Sequence, residues 1–542
     1  MSAPCEATLY RGGRVVTLEP ARAAADALAT RDGRIVAVGA EAECRAALRA
    51  AGARDWATVE LAGRALLPGF VDTHLHPIAL LYFDLHADLS RARTLGAARE
   101  ALSAFAARAP ADAWAVGLRL DVEALAERRL PTREELDAAC PDRPAVVVAH
   151  DGHSAAGNTR ALSAAGLAAG TPDPPGGRIE RDGRGAPAGP CREAAAQLLL
   201  GAVPTPAPER LREAARASFG RLAACGITSA GVVLQTDEEG PGGAAGRLEG
   251  LAMGLLLDVT PFATYALLMG RTPAAAIAAR ATPLHDPAAG RRVGGYKLFA
   301  DGTLGSCTAA MREPFADRPG ECGLAALPEE ELFARMRVAH EAGLQVCVHA
   351  IGDAAVERCA GLYARLLAER PRRDHRHRIE HASVVPPELI PRLAALGVGV
   401  STQPLFIHSE KGWLRRRLGA ERARQVYPLR ALVEAGVLVA GASDAPVEST
   451  DVLHAIQCCV TREGFEPQQA LTPAQALDLF TRQAARLQFE EAEKGTLAPG
   501  KRADLVVLSD SPLAVPPERI SGLRVLRTVC GGRVTHDAGE LP

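Results

Sequence analysis

The chain predicts an α/β protein: a (β/α)8 TIM barrel plus a small β-sandwich-like domain built from both chain ends. Three observations lead there. Eight strand-like runs cross the middle of the sequence, at 66–72, 226–234, 257–266, 293–300, 344–349, 377–382, 397–402 and 437–443. From the second onward helical patterns mostly separate them, as at 327–342, 353–369, 386–395 and 420–435. Each chain end adds a few short strands, too few to form a stable sheet alone.

At the amino end, strand-like runs at 8–10, 14–18, 27–30 and 34–38 are parted by Gly12-Gly13, Asp32-Gly33 and Gly39. Asp-Gly between alternating apolar residues is a hairpin signal. A helix is expected at 41–51. Strands at 503–508, 525–529 and 532–535 close the chain. Pairing the two ends gives a composite domain, 1–67 with 490–542, around a barrel at 68–489. Between the first two barrel strands lies an excess, 83–224, too long for a βα connection and carrying elements of its own. It reads as an inserted subdomain over the barrel mouth, where barrel enzymes keep their sites.

A length of 542 residues fits one large domain with at least one smaller companion. Lys+Arg 62 against Asp+Glu 64 leaves a net charge of -2, which offers no footprint for nucleic acid or an anionic membrane surface. No stretch approaches 18 uninterrupted apolar residues. The 12 cysteines are scattered without CxxC spacing, which favours reduced thiols and a cytoplasmic location. The expected partner is a small-molecule substrate, with a homodimer left open.

The chemistry sits at the strand ends. In Phe70-Val71-Asp72-Thr73-His74-Leu75-His76, alternation puts Asp72, His74 and His76 on one face. The fourth strand puts Lys297, Phe299 and Asp301 on one face. The fifth ends in His349, the sixth in Glu380-His381, and the eighth leads into Ser443-Asp444. Histidines and an aspartate converging on one rim form an N,O ligand set suited to Zn2+ or a similar divalent ion.

These residues lie in PGFVDTHLHP, AHDGHSAAGNTRAL, YKLFADGTLGSCTA, VHAIGD, RIEHA, STQP, GASDAPV and GTLAPGKRADLVVL. Together the motifs resemble the amidohydrolase superfamily of metal-dependent hydrolases, in its YtcJ-like branch, over nearly the whole chain. The resemblance implies that His74, His76 and Asp444 bind a buried metal and that His349 and His381 bind a second. It also implies that Lys297 is carboxylated and bridges them, so one or two ions are expected per chain. A neutral amine that takes up CO2 becomes an anionic ligand, whereas an ammonium beside two cations would be repelled. The resemblance further implies hydrolysis of a C–N amide-type bond, other than a peptide bond in a protein, by metal-activated water with Asp444 as proton shuttle. A deaminase or cyclic-amide hydrolase with the same shell is the alternative, and a non-catalytic binding or regulatory homologue stands further off. Family position assigns His150, Asp151 and His153 to the substrate pocket, with Asp301 and Gln403 also expected toward substrate. Ala155, Ala156, Gly157 and Leu120 depart from the bulkier residues of the family, which implies a roomier pocket. Trp413 is expected either to reach the mouth, as Gln403 does, or to pack its loop, and His375 and His377, in the basic run PRRDHRHR, to be solvated.

Overall fold

The computed structural model describes residues 7–20, 22–110, 112–149, 154–240 and 246–542. Its contacts divide the chain into one unit of residues 1–78 with 215–542 and a second of residues 79–214.

The first unit holds an eight-stranded parallel sheet. Its strands in order are Phe70–Leu75, Ile227–Gln235, Ala263–Met269, Arg291–Phe299, Gln345–Ala350, Arg378–His381, Gly399–Thr402 and Val439–Gly441. Each pairs with the next in parallel register. The eighth meets the first through two backbone bonds just beyond the ladder. Asp444 N–H donates to the His74 carbonyl and His76 N–H to the Ala445 carbonyl, each at 2.8 Å. The Thr73 hydroxyl adds a bond to the Gly441 carbonyl at 3.0 Å and lies 2.8 Å from the Ser401 hydroxyl. The sheet is thus a nearly closed barrel whose seam lies beside His74 and Asp444.

Three expected elements shift, each for a local reason. The run 66–72 is two strands. Ala65–Pro68 belongs to the terminal sheet and Phe70–Leu75 to the barrel. The chain crosses between them at Gly69, where a Cβ would lie 2.3 Å from the Thr228 side chain. The third strand starts at Ala263 rather than 257, because Leu257–Val259 is a turn of 3-10 helix and Pro261 cannot join a central ladder. The helix expected over 420–435 is two short ones, Ala420–Ala423 and Leu429–Glu434, parted before Pro428.

Strands from both chain ends meet in this unit. Leu505–Leu508 pairs antiparallel with Ala65–Pro68, which joins amino-terminal and carboxy-terminal strands in a six-stranded sheet. A four-stranded sheet of amino-terminal strands accompanies it. Tyr10, Val15, Leu28, Ile35, Leu505, Val507 and Leu526 pack in one apolar core drawn from both ends.

The second unit carries its own six-stranded sheet and two apolar cores. Leu120 and Ala156 pack in one core and Ala155 in the other. Leu120, Ala155 and Ala156, expected to alter the pocket, thus fill the interior of the insertion. Among the described residues no helix is long and apolar enough to cross a membrane.

Candidate metal centre

His74 is the fifth residue of the first barrel strand, and His76 follows its end. The seam bonds bring both beside Asp444, whose Oδ1 lies 3.4 Å from His74 Nε2 and 3.2 Å from His76 Nε2. The ligand atoms of this trio all lie within 4.8 Å of one another. On its far side His74 Nδ1 is 2.7 Å from Glu380 Oε2. The ionised carboxylate can only accept, so the imidazole proton sits on Nδ1 and the Nε2 lone pair faces Asp444. Nε2 is buried and, among the described residues, has no hydrogen-bond partner. An unpaired buried polar atom costs about 1–3 kcal/mol. A divalent cation between His74, His76 and Asp444 answers that atom, and the donor set fits one.

Glu380 stays ionised despite complete burial. Burial works against its charge, but the Arg378 guanidinium at 2.5 Å and then His74 hold its carboxyl well below the usual range. Arg378 in turn donates to the Thr73 carbonyl at 3.0 Å, next to His74. Burial above all pushes His74 down to about 3, so its imidazole is neutral near neutrality. At Asp444 burial again opposes ionisation, but the His76 bond and the surrounding imidazoles outweigh it and lower its pKa.

His349 and His381 stand next to this trio, with ring centroids 4.5 Å apart and His381 5.3 Å from His74. Each is held by one nitrogen. His349 Nε2 donates to the Gly302 carbonyl at 2.9 Å, and His381 Nδ1 donates to Gln403 Oε1 at 2.8 Å. Among the described residues this leaves His349 Nδ1 and His381 Nε2 for a ligand, the arrangement of metal-binding histidines with outer partners. His381 and Asp444 both adopt left-handed backbone, at φ 73° and 59°, where a non-glycine residue is strained.

Lys297 is only 1% exposed, its Nζ 4.8 Å from the Phe299 ring centroid, and burial lowers its pKa. That direction favours the neutral amine. Asp301, expected toward substrate, is committed to the framework, whereas Gln403, also expected there, uses its Oε1 on His381 and among the described residues has no hydrogen-bond partner for its Nε2. Asp301 accepts backbone N–H groups from Ala310, Ile351 and Gly352 at 2.9, 3.0 and 2.8 Å. Gly352 is required there, since a Cβ would lie 2.0 Å from the Ala310 carbonyl. Asp301 Oδ1 also lies 3.6 Å from His349 Nε2. Gln403, fully buried, orients His381. His150, Asp151 and His153 lie outside the described residues. Trp413 is half-buried with the Arg417 guanidinium 5.5 Å from its ring, a loop-packing role.

The sequence reading missed how Glu380 and Arg378 act. Both are fully buried charges two apart on one short strand, and that pattern in Arg-Ile-Glu-His is the signal that finds them. Asp72 was placed on the ligand face but without a task. It accepts from His74 N–H and Ser443 N–H, both at 3.1 Å, tying the first strand to the eighth. The expectation of solvated His375 and His377 is corrected. Both are buried, because the basic run ends where the inward-facing sixth strand begins.

A nearly closed parallel barrel with histidines and an aspartate at its seam defines a metal-dependent hydrolase. The chain belongs to the amidohydrolase family, whose model matches residues 57–536. It is 30% identical to the putative amidohydrolase YtcJ of Bacillus subtilis over 98% of this chain and 99% of that one. It is 27% identical to N-substituted formamide deformylase of Arthrobacter pascens over 96% and 97%. Its structure resembles that of an uncharacterised metal-dependent hydrolase from Pyrococcus furiosus, with a TM-score of 0.75 and 25% identity, covering 94% of this chain and all of the other.

Proposed function

We propose that the chain hydrolyses a C–N amide-type bond of a small molecule, other than a peptide bond in a protein, with one or two Zn2+ ions. The observation that carries this is the buried, unpartnered Nε2 of His74 aimed at Asp444. When bound, such an ion polarises a carbonyl and lowers the pKa of a coordinated water to about 7. His74, His76 and Asp444 would hold one ion; His349 and His381, with Lys297 as a carbamate, would hold the second.

Asp444 has the second task. Its carboxylate, flanked by His74 and His76, takes a proton from the attacking water and passes it to the leaving amine. Glu380 and Gln403 keep His74 and His381 in the ligand tautomer. Similarity to a deformylase of N-substituted formamides directs the choice of substrate to N-acyl and N-formyl amines. The same proposal assigns His150, Asp151 and His153 to substrate selection, on the ground that their segment is inserted in the chain directly after His74 and His76. A cytoplasmic location suits cysteines scattered without CxxC spacing.

The test is turnover of N-formyl and N-acyl amines by the zinc-loaded full chain, with cyclic amides and amino-purines as comparators. Amine release from the first group supports the proposal. Turnover confined to the comparators transfers the same site to a deaminase or cyclic-amide hydrolase.

A further inference from the structure

A second group of ligand atoms lies away from the barrel seam. His408 sits on the short helix Leu405–Glu410 after the seventh strand, and His454 on the helix Val452–Thr461 after the eighth. Glu463 follows the end of that second helix. Its Oε1 lies 2.9 Å from His408 Nδ1 and 3.0 Å from His454 Nε2, with Cys458 Sγ at 3.5 Å. The two imidazoles meet edge to face with centroids 4.8 Å apart. One ligand atom from each of His408, His454 and Glu463 falls within 4.8 Å of the others. His454 and Cys458 are four apart on one helix and share a face.

Convergence of this kind does not come from a relaxed backbone. Arg462 and Glu463 are consecutive non-glycine residues in left-handed conformation, at φ 53° and 46°. Arg462 is fully buried and pinned by donation to the carbonyls of Tyr427, Val426 and Phe465 at 2.8, 3.2 and 3.1 Å. Glu463 N–H is held by the Thr461 hydroxyl at 3.2 Å. These contacts maintain the strain and turn the carboxylate back toward the histidines.

The two oxygens of Glu463 divide their tasks. Oε2 takes the ammonium of Lys411 and also lies 2.9 Å from His408 Nδ1, whereas Oε1 faces both histidines and Cys458. We propose that His408, His454 and Glu463 form a structural site for a borderline divalent ion of the Zn2+ or Co2+ class, bound on the Oε1 side with Cys458 Sγ next to the remaining position. Two imidazoles, a carboxylate and a nearby thiol match that class, whereas Mg2+ and Ca2+ take mostly oxygen ligands. The ion clips the segment after the seventh strand to the helix after the eighth. Lys411, on a flexible and partly exposed stem, opposes the cation and yields toward solvent when it binds.

The experiment titrates Zn2+ into metal-free full-length protein and counts retained metal by plasma mass spectrometry after gel filtration. The wild type should retain one equivalent more than the His408→Ala, His454→Ala double variant. A His74→Ala, His76→Ala variant should keep that equivalent and gain melting temperature on adding Zn2+. Lys411→Ala should bind it several-fold more tightly, which a purely hydrogen-bonded cluster would not do. Because His408 is the exposed member, His408→Gln alone, checked by circular dichroism, gives the count if the double variant misfolds; about tenfold weaker retention is expected. Equal zinc retention by wild type and by a folded His408 variant overturns the site. Unchanged zinc in the His74→Ala, His76→Ala variant would instead count against the seam centre and leave this inference standing.

Discussion

Six buried histidines occupy the two ends of one barrel, and they are treated in opposite ways. At the carboxy-terminal end His74, His349 and His381 each spend one nitrogen on an outer partner, namely Glu380, Gly302 and Gln403. At the amino-terminal end His340, His375 and His377 spend both. His377 Nδ1 accepts from Val346 N–H at 3.0 Å, and its Nε2 donates to His340 Nδ1 at 2.7 Å. His340 Nε2 donates to the Arg370 carbonyl at 3.0 Å. His375 Nδ1 accepts from His377 N–H at 2.9 Å, and its Nε2 donates to the Leu396 carbonyl at 2.9 Å. Burial and residue type are shared. The uncommitted nitrogen separates a ligand from a structural bridge.

The largest effect should come from Asp444. Asp444→Asn removes the proton acceptor and weakens a ligand, and should lower turnover about 100-fold or more even at saturating metal. Near wild-type rates on the best N-acyl amine would refute the shuttle. Lys297→Ala should next lose the second ion in particular, and small carboxylates should partly restore it. Two ions and normal turnover in that variant would dismiss the bridging carbamate. Glu380→Gln and Gln403→Leu leave every ligand in place but loosen the tautomers, so metal affinity should fall roughly 10–100-fold. Unchanged affinity in both would mean that the outer partners do not matter.

The smallest effects belong to the other end. His377→Asn should leave metal content and turnover alone but lower stability by about 1–3 kcal/mol, measured by denaturant unfolding. Burial lowers the pKa of His340 and His375 and holds that of His377 well below its ordinary value. The native state therefore refuses protons that the unfolded chain accepts below about pH 6.5. Stability from these residues is complete above that pH and is lost as pH falls toward the depressed native values. The slope approaches about 1.4 kcal/mol per pH unit for each histidine. The variant should show a flatter decline between pH 7.5 and 5.5, and an unchanged slope would contradict the assignment.

The same contrast marks what was legible in the sequence. Alternation in Asp72-Thr73-His74-Leu75-His76 and the polar ends of later strands pointed to the rim, because a barrel interior gives such residues few other uses. The barrel followed from strand and helix spacing. What stayed hidden depends on contacts distant in sequence. Glu380 reaches His74 across 306 positions, and no local pattern encodes that bond. Asp301 and Gln403 were legible as rim residues but not as supports, since their partners are set by how loops close. His375 and His377 looked solvated because a run of arginines resembles a charged surface, although the next residue opens a buried strand.

The free nitrogens at the barrel seam are the proposed seat of a divalent ion. Anomalous X-ray scattering at the zinc edge, from crystals of the zinc-loaded full chain, tests it most directly. A peak bonded to His74 Nε2, His76 and Asp444 at about 2.0–2.2 Å is expected. Full zinc loading with no peak between those three side chains would contradict it.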